Sequence, residues 1–141
     1  MKLIVHEIAT SVSQKLRPEK NTQVEVIRPH IYVHNKPTGT LKVQVATSDG
    51  LLIAESAEIN IQDMTTLPYF HGYIRFDVSA HLKRDVEYTV SVVAGGGYTF
   101  SENGYVGVCN DFDSRKYELN EPITHPNYAP LDVEVWSLSL K

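Results

Sequence analysis

Apolar side chains occupy every second position through most of this chain. Leu41, Val43 and Val45 alternate with Lys42, Gln44 and Ala46, Ile74, Phe76 and Val78 with Arg75 and Asp77, and Val86, Tyr88, Val90, Val92 and Ala94 with Glu87, Thr89 and Ser91. Successive strand side chains point to opposite faces, so this period describes strands with one face in a core and one in water. Such runs recur about every ten to fifteen residues between Lys2 and Leu140, each closed by turn residues, and no long helical pattern interrupts them. Asn60–Thr66 is polar and turn-like, with room for a single helical turn. The pattern predicts an all-β fold, one antiparallel sandwich over residues 1–141, without repeat, low-complexity tract or internal linker.

Turn chemistry sharpens the prediction. Ser48-Asp49-Gly50 separates the Leu41–Val45 run from Leu51, Ile53 and Ala57, which are expected to resume the alternation. Asp-Gly readily supplies the positive φ of a tight hairpin turn, so adjacent antiparallel strands are expected on its two sides. Gly95-Gly-Gly97 reads as another turn, and Asn110–Pro130, with Pro122, Pro126 and Pro130, as a long ordered surface loop. Val24 and Val26 share one parity while Ile27, Ile31 and Val33 share the other, with Arg28-Pro29 between. A β-bulge or a strand that switches sheets would produce that change of phase.

The chain ends carry apolar residues on both parities: Leu3, Ile4 and Val5 at the start, and Leu131, Val133 and Val135 against Trp136, Leu138 and Leu140 at the finish. One face of each strand then needs cover. Bulges or loops supply it in one reading; in the other, Leu3, Val5, Trp136, Leu138 and Leu140 belong to an oligomeric or partner interface.

A chain of 141 residues is one domain long and buries about two-thirds of its unfolded surface, enough for a core without staples. Its single cysteine, Cys109, has no internal partner for a disulfide and, in Tyr105-Val-Gly-Val-Cys-Asn110, no nucleophile signature, so it reads as a buried structural thiol. The net charge is −4 and the basic residues are scattered, which disfavours a nucleic-acid surface. In Met1-Lys-Leu-Ile-Val, the apolar run is cut by His6 and Glu7, so neither a secretory signal nor a membrane span is expected.

Few residues carry a chemical signature. His30 and His34 share a strand face with Tyr32, as a metal pair would, but no third ligand follows at fixed spacing, so no metal is assigned. Asn110-Asp-Phe-Asp113 is rich in oxygen, yet Arg115 and Lys116 break the calcium-loop pattern. Acidic side chains fall mostly on wet strand parities, the place of solubilising charges, so no catalytic pair and no enzyme is predicted. Gly95-Gly-Gly97 lacks the Lys-Ser/Thr and helix of a phosphate loop. The aromatic supply of the second half is more suggestive. Tyr98, Phe100 and Phe112, with Asp111 and Asp113, set rings beside hydrogen-bonding groups, which suits a glycan site, a protein interface, or simply the rim of a core.

Lys36-Pro-Thr-Gly-Thr-Leu-Lys-Val-Gln-Val45, Leu51-Leu-Ile-Ala-Glu-Ser56, Tyr73-Ile-Arg-Phe-Asp77, Asp85-Val-Glu-Tyr-Thr-Val-Ser-Val92 and the closing Leu131-Asp-Val-Glu-Val-Trp136 together resemble the jelly-roll modules of bacteriophage virion proteins. The likeness spans nearly the whole chain and rests on turn and core positions. It implies a jelly-roll sandwich, a non-catalytic role as capsid decoration or fibre-associated protein, residence in a virion, and partners that are copies of itself and other virion proteins. It implies no cofactor. Related sandwiches bind carbohydrate, which is the alternative role.

Overall fold

A computed structural model describes residues 4–110, 122–123 and 133–138 of the chain, with side chains over 5–109. Twelve strands and one short helix follow in order: β1 (Ile4–Glu7), β2 (Ser11–Leu16), β3 (Thr22–His34), β4 (Thr40–Thr47), β5 (Leu52–Glu55), β6 (Ile59–Asn60), α1 (Ile61–Met64), β7 (Tyr69–Tyr73), β8 (Phe76–Leu82), β9 (Tyr88–Gly95), β10 (Tyr105–Asn110), β11 (Pro122–Ile123) and β12 (Val133–Leu138). They form two six-stranded sheets in which every pairing is antiparallel. The fold is the predicted all-β sandwich. The single turn of α1 lies within the polar connection where one was anticipated.

β3 is the spine of the first sheet. Its 13 residues exceed the length of any neighbour, so each edge is covered by two strands end to end. On one edge β10 pairs with Ile31–His34 and β12 with Gln23–Pro29; on the other, β7 pairs with His30–His34 and β8 with Thr22–Ile27. Beyond β10, β1 completes the sheet.

Proline is a poor resident of a central strand because it has no N–H to give the ladder. Pro29 is tolerated here because it stands where one edge changes partner. Its carbonyl accepts the Ile74 amide at 3.1 Å, and Ile74 and Arg75 form the step between β7 and β8. In a strand, a residue's N–H and C=O point to the same edge, so the missing donor falls at that step. The predicted change of phase is real, but Arg28-Pro29 is not its site and the strand stays in one sheet. The register shifts between Val24 and Val26: against β12 Glu25 is the extra residue of a bulge, and against β8 it is the single residue that faces Val78 and Ser79. From there Ile27, Ile31 and Val33 face the core and the even-numbered residues face outward.

The second sheet runs β11-β2-β9-β4-β5, with β6 following β5 along the same edge of β4. Leu41, Val43 and Val45 of β4 and Tyr88, Val90 and Val92 of β9 meet Ile27, Phe76, Val78 and Val106 of the first sheet in one buried core. The Asp49-Gly50 turn joins β4 to β5 as predicted, with the Thr47 hydroxyl donating to the Asp49 carboxylate and the Gly50 amide to the Thr47 carbonyl. The expected parity beyond the turn fails. A register shift between Val45 and Ala46 leaves Leu51 and Ile53 outside, and the buried residue of that run is Ser56, whose hydroxyl accepts the Val43 amide at 2.9 Å.

Two glycines on either side of β4 both hold a positive φ, +108° at Gly39 and +92° at Gly50, yet they differ in surroundings. A Cβ on Gly39 would meet the Tyr98 backbone at 2.5 Å, whereas one on Gly50 would meet nothing within 4 Å. Gly50→Ala is therefore expected to cost about 1 to 2 kcal/mol, the backbone penalty alone. Gly39→Ala should cost about 1 to 3 kcal/mol more for the collision. Denaturant unfolding of the two variants checks this; equal losses would mean that the Tyr98 backbone gives way freely.

Candidate functional site

The outer faces of the two sheets are unlike. On the second sheet, short polar and charged side chains pair across strands: Ser13 with Ser91 (Oγ–Oγ 2.7 Å), Lys15 with Glu87 (3.6 Å) and Lys42 with Glu55 (2.9 Å). The Glu55 hydrogen bond raises the Lys42 ammonium above its ordinary pKa, and the Lys42 hydrogen bond lowers the Glu55 carboxyl. Both groups stand in water, where such pairs add little stability.

The first sheet instead carries a row of rings. Alternation along β3 sends His30, Tyr32 and His34 outward, and alternation along β7 sends Tyr69, His71 and Tyr73 to the same face. The antiparallel register then sets His30 opposite Tyr73, Tyr32 opposite His71 and His34 opposite Tyr69. Tyr105 of β10 enters from the other edge, opposite His34.

These rings engage one another. His34 stacks on Tyr105 with centroids 4.7 Å apart and planes 15° apart, and meets Tyr69 edge-on at 5.0 Å. His30 stacks on Tyr73 at 4.9 Å, and the Arg28 guanidinium lies 5.9 Å from the Tyr73 centroid. Two polar contacts tie the row together: Tyr32 Oη lies 2.8 Å from His34 Nδ1, and His30 Nε2 lies 3.0 Å from His71 Nδ1. Aromatic pairs of this kind add about 0.5 to 1.5 kcal/mol each beyond area burial. The row therefore clamps β7, which among the described residues pairs with β3 alone.

The site residues predicted from sequence scatter. Phe100 joins the row at its rim, 5.4 Å from Tyr105. Tyr98 turns inward and packs against the core, where its hydroxyl donates to the Ile8 carbonyl at 2.6 Å and accepts the Val106 amide at 3.2 Å. Val5 is half-buried on β1, opposite Cys109, which is fully buried. The registers of Trp136 and Leu138 lie against Val26 and Gln23, and only their backbone is described. Leu3, Leu140, Asp111, Phe112 and Asp113 lie outside the described residues. Tyr69, His71 and Tyr73 were not singled out in the sequence, although their shared parity around Phe70 and Gly72 was a readable sign of a strand with a ring-bearing face.

Among the described residues, no group of three or more His, Cys, Asp and Glu side chains is placed to hold a metal ion. No helix among them is long and apolar enough to cross a membrane. The chain matches no protein-family model, no curated protein and no solved structure.

Burial holds the Tyr98 hydroxyl above the ordinary tyrosine pKa of 10.0, with the Glu7 charge and Tyr105 adding to the shift and the Val106 amide opposing it. Burial raises Tyr105 as well, assisted by Tyr32 and Glu7. A folded-state pKa above the unfolded one stabilises the fold fully below pH 10.0, and the gain is lost as pH rises through the raised value. Tyr98→Phe leaves a buried carbonyl and amide without this partner, an expected cost of about 1 to 3 kcal/mol near neutrality. The alkaline decline in stability should shrink in that variant, Tyr105 supplying the remainder. Denaturant unfolding across the alkaline range, with tyrosinate absorbance followed in parallel, measures both.

Proposed function

We propose that this chain is a non-catalytic structural module of a virion, a capsid-decoration or fibre-associated sandwich of jelly-roll type that works by contact with neighbouring subunits. The observation that carries this is the rim of the second sheet. Leu51, Leu52 and Ile53 follow one another at 63%, 45% and 39% exposure. They lead into β5, which among the described residues pairs with β4 alone. A strand edge with apolar side chains is a template for another chain, and proteins that work alone blunt such edges with charge, proline or cover. Three consecutive aliphatic groups left at this edge fit a surface that a neighbour completes. The resemblance of the turn and core positions to phage virion modules points the same way, and a rigid two-sheet body suits a role that is mechanical.

Carbohydrate binding is the second reading, favoured by the Tyr69 ring, which is 55% exposed beside Tyr and His polar groups. It ranks lower because His34 and Tyr105 stack on each other, as do His30 and Tyr73, which occupies ring faces that a sugar would need.

Leu52→Glu should weaken self-association, or attachment to a partner particle, by about tenfold or more, the effect of losing one well-packed contact, while thermal stability hardly moves because the side chain is already in water. Sedimentation velocity over a concentration series reads the first and a thermal melt the second. A chain that sediments as a monomer at every concentration, binds no particle and gives a glycan-array signal abolished by Tyr69→Ala would replace the structural reading with the second one.

A further inference from the structure

We propose that His30 and His71 form a two-imidazole chelate for one late first-row divalent ion, of the Cu²⁺, Ni²⁺ or Zn²⁺ class. The proposal is independent of the function given above.

Register brings the pair together: His30 faces Tyr73 and Tyr32 faces His71, so the two histidines are diagonal neighbours across β3 and β7. Diagonal positions lie within reach of long or aromatic side chains. Their ring nitrogens, His30 Nε2 and His71 Nδ1, converge to 3.0 Å. Two imidazoles bound to one tetrahedral ion at about 2.0 to 2.1 Å hold their nitrogens about 3.3 Å apart, so the pair needs to open by only a few tenths of an ångström.

The pair is also held in place. His30 is 8% exposed and stacks on Tyr73 at 4.9 Å, which fixes its ring, while His71 is exposed and offers a route for the ion and for water at the remaining positions. In the metal-free pair, one of the two facing nitrogens carries the shared proton. Binding needs both lone pairs free. If that proton sits on His71 Nδ1, it moves through solvent to His71 Nε2, a change of tautomer that leaves the ring neutral. If it sits on His30 Nε2, it moves likewise to His30 Nδ1, so neither route requires net proton release.

The donor set selects the ion. Neutral imidazoles suit Zn²⁺, Ni²⁺ and Cu²⁺, with Cu²⁺ the tightest, whereas Ca²⁺ and Mg²⁺ require oxygen ligands. The Arg28 guanidinium, 5.9 Å from the centroid of the Tyr73 ring that stacks on His30, does not favour a cation here, so the attraction is assigned to the metal–nitrogen bonds.

The test is calorimetric titration of the chain, without a histidine tag, with Zn²⁺ and then Cu²⁺, Ni²⁺ and Ca²⁺. One transition-metal ion per chain is expected, Cu²⁺ tightest, with no response to Ca²⁺. His71→Gln keeps a donor and an acceptor toward His30 and should weaken binding by about tenfold or more, at least the loss that follows removal of a supporting group at a metal site. His34→Gln and His81→Gln should leave it unchanged. Unaltered binding by His71→Gln, an equal loss in His34→Gln, or no Zn²⁺ or Cu²⁺ binding by the original chain would overturn the proposal. Should His71→Gln fail to fold, carbethoxylation of His71 in the original chain decides: protection by Zn²⁺ supports the site, and its absence overturns it.

Discussion

The first sheet depends on one constraint, the length of β3. A central strand of 13 residues needs partners on both edges throughout, and no other strand among the described residues is long enough to supply either edge alone. Four strands therefore share it, and they change over near the middle. Pro29 stands at that point, where its carbonyl accepts the Ile74 amide and its missing N–H falls in the step between β7 and β8 rather than within either strand. The same residue at a position of the Thr22–Ile27 stretch whose amide donates to β8 would remove a hydrogen bond and leave an orphaned acceptor.

From that spine the two faces diverge. Inward, Ile27, Ile31 and Val33 meet the valines of β4 and β9, and burial of this surface at about 25 cal/mol per Å² is the main cohesive term. Outward, the same strand carries His30, Tyr32 and His34, and cohesion comes from ring contacts and two short polar contacts instead. β7 is fastened by both, since Phe70 packs against the core while Tyr69, His71 and Tyr73 lie in the row. Bonds between strands and contacts between rings thus coincide, and ordering one orders the other.

Local information was legible in the sequence. Alternation located β4, β8 and β9, and Asp49-Gly50 located their clearest turn, because period and turn chemistry are properties of neighbouring residues. What failed was register. Glu25, an ordinary glutamate, is the bulge residue against β12, and nothing in its own chemistry marks it; the shift is imposed by partners distant in the chain. The same holds for the exposure of Leu51 and Ile53, which follows from a shift at Val45–Ala46 across the hairpin. Half of the ring row was visible in the spacing of His30, Tyr32 and His34. The other half required knowing that β7 lies beside β3, a long-range pairing that no spacing rule encodes. Tyr98 shows the converse error: near a turn and next to glycines it looks available, yet its hydroxyl is taken up by Ile8 and Val106.

Cys109 lies opposite Val5 in the pairing of β1 with β10 and is wholly buried, and it is the only cysteine of the chain. Thiol chemistry proceeds through a solvated thiolate, so the folded protein is inert to alkylating and oxidising reagents until this margin of the sheet opens. The chain thereby carries a built-in clock: the pace at which its sulfur is modified counts excursions out of the closed state, one residue at a time and without any added label.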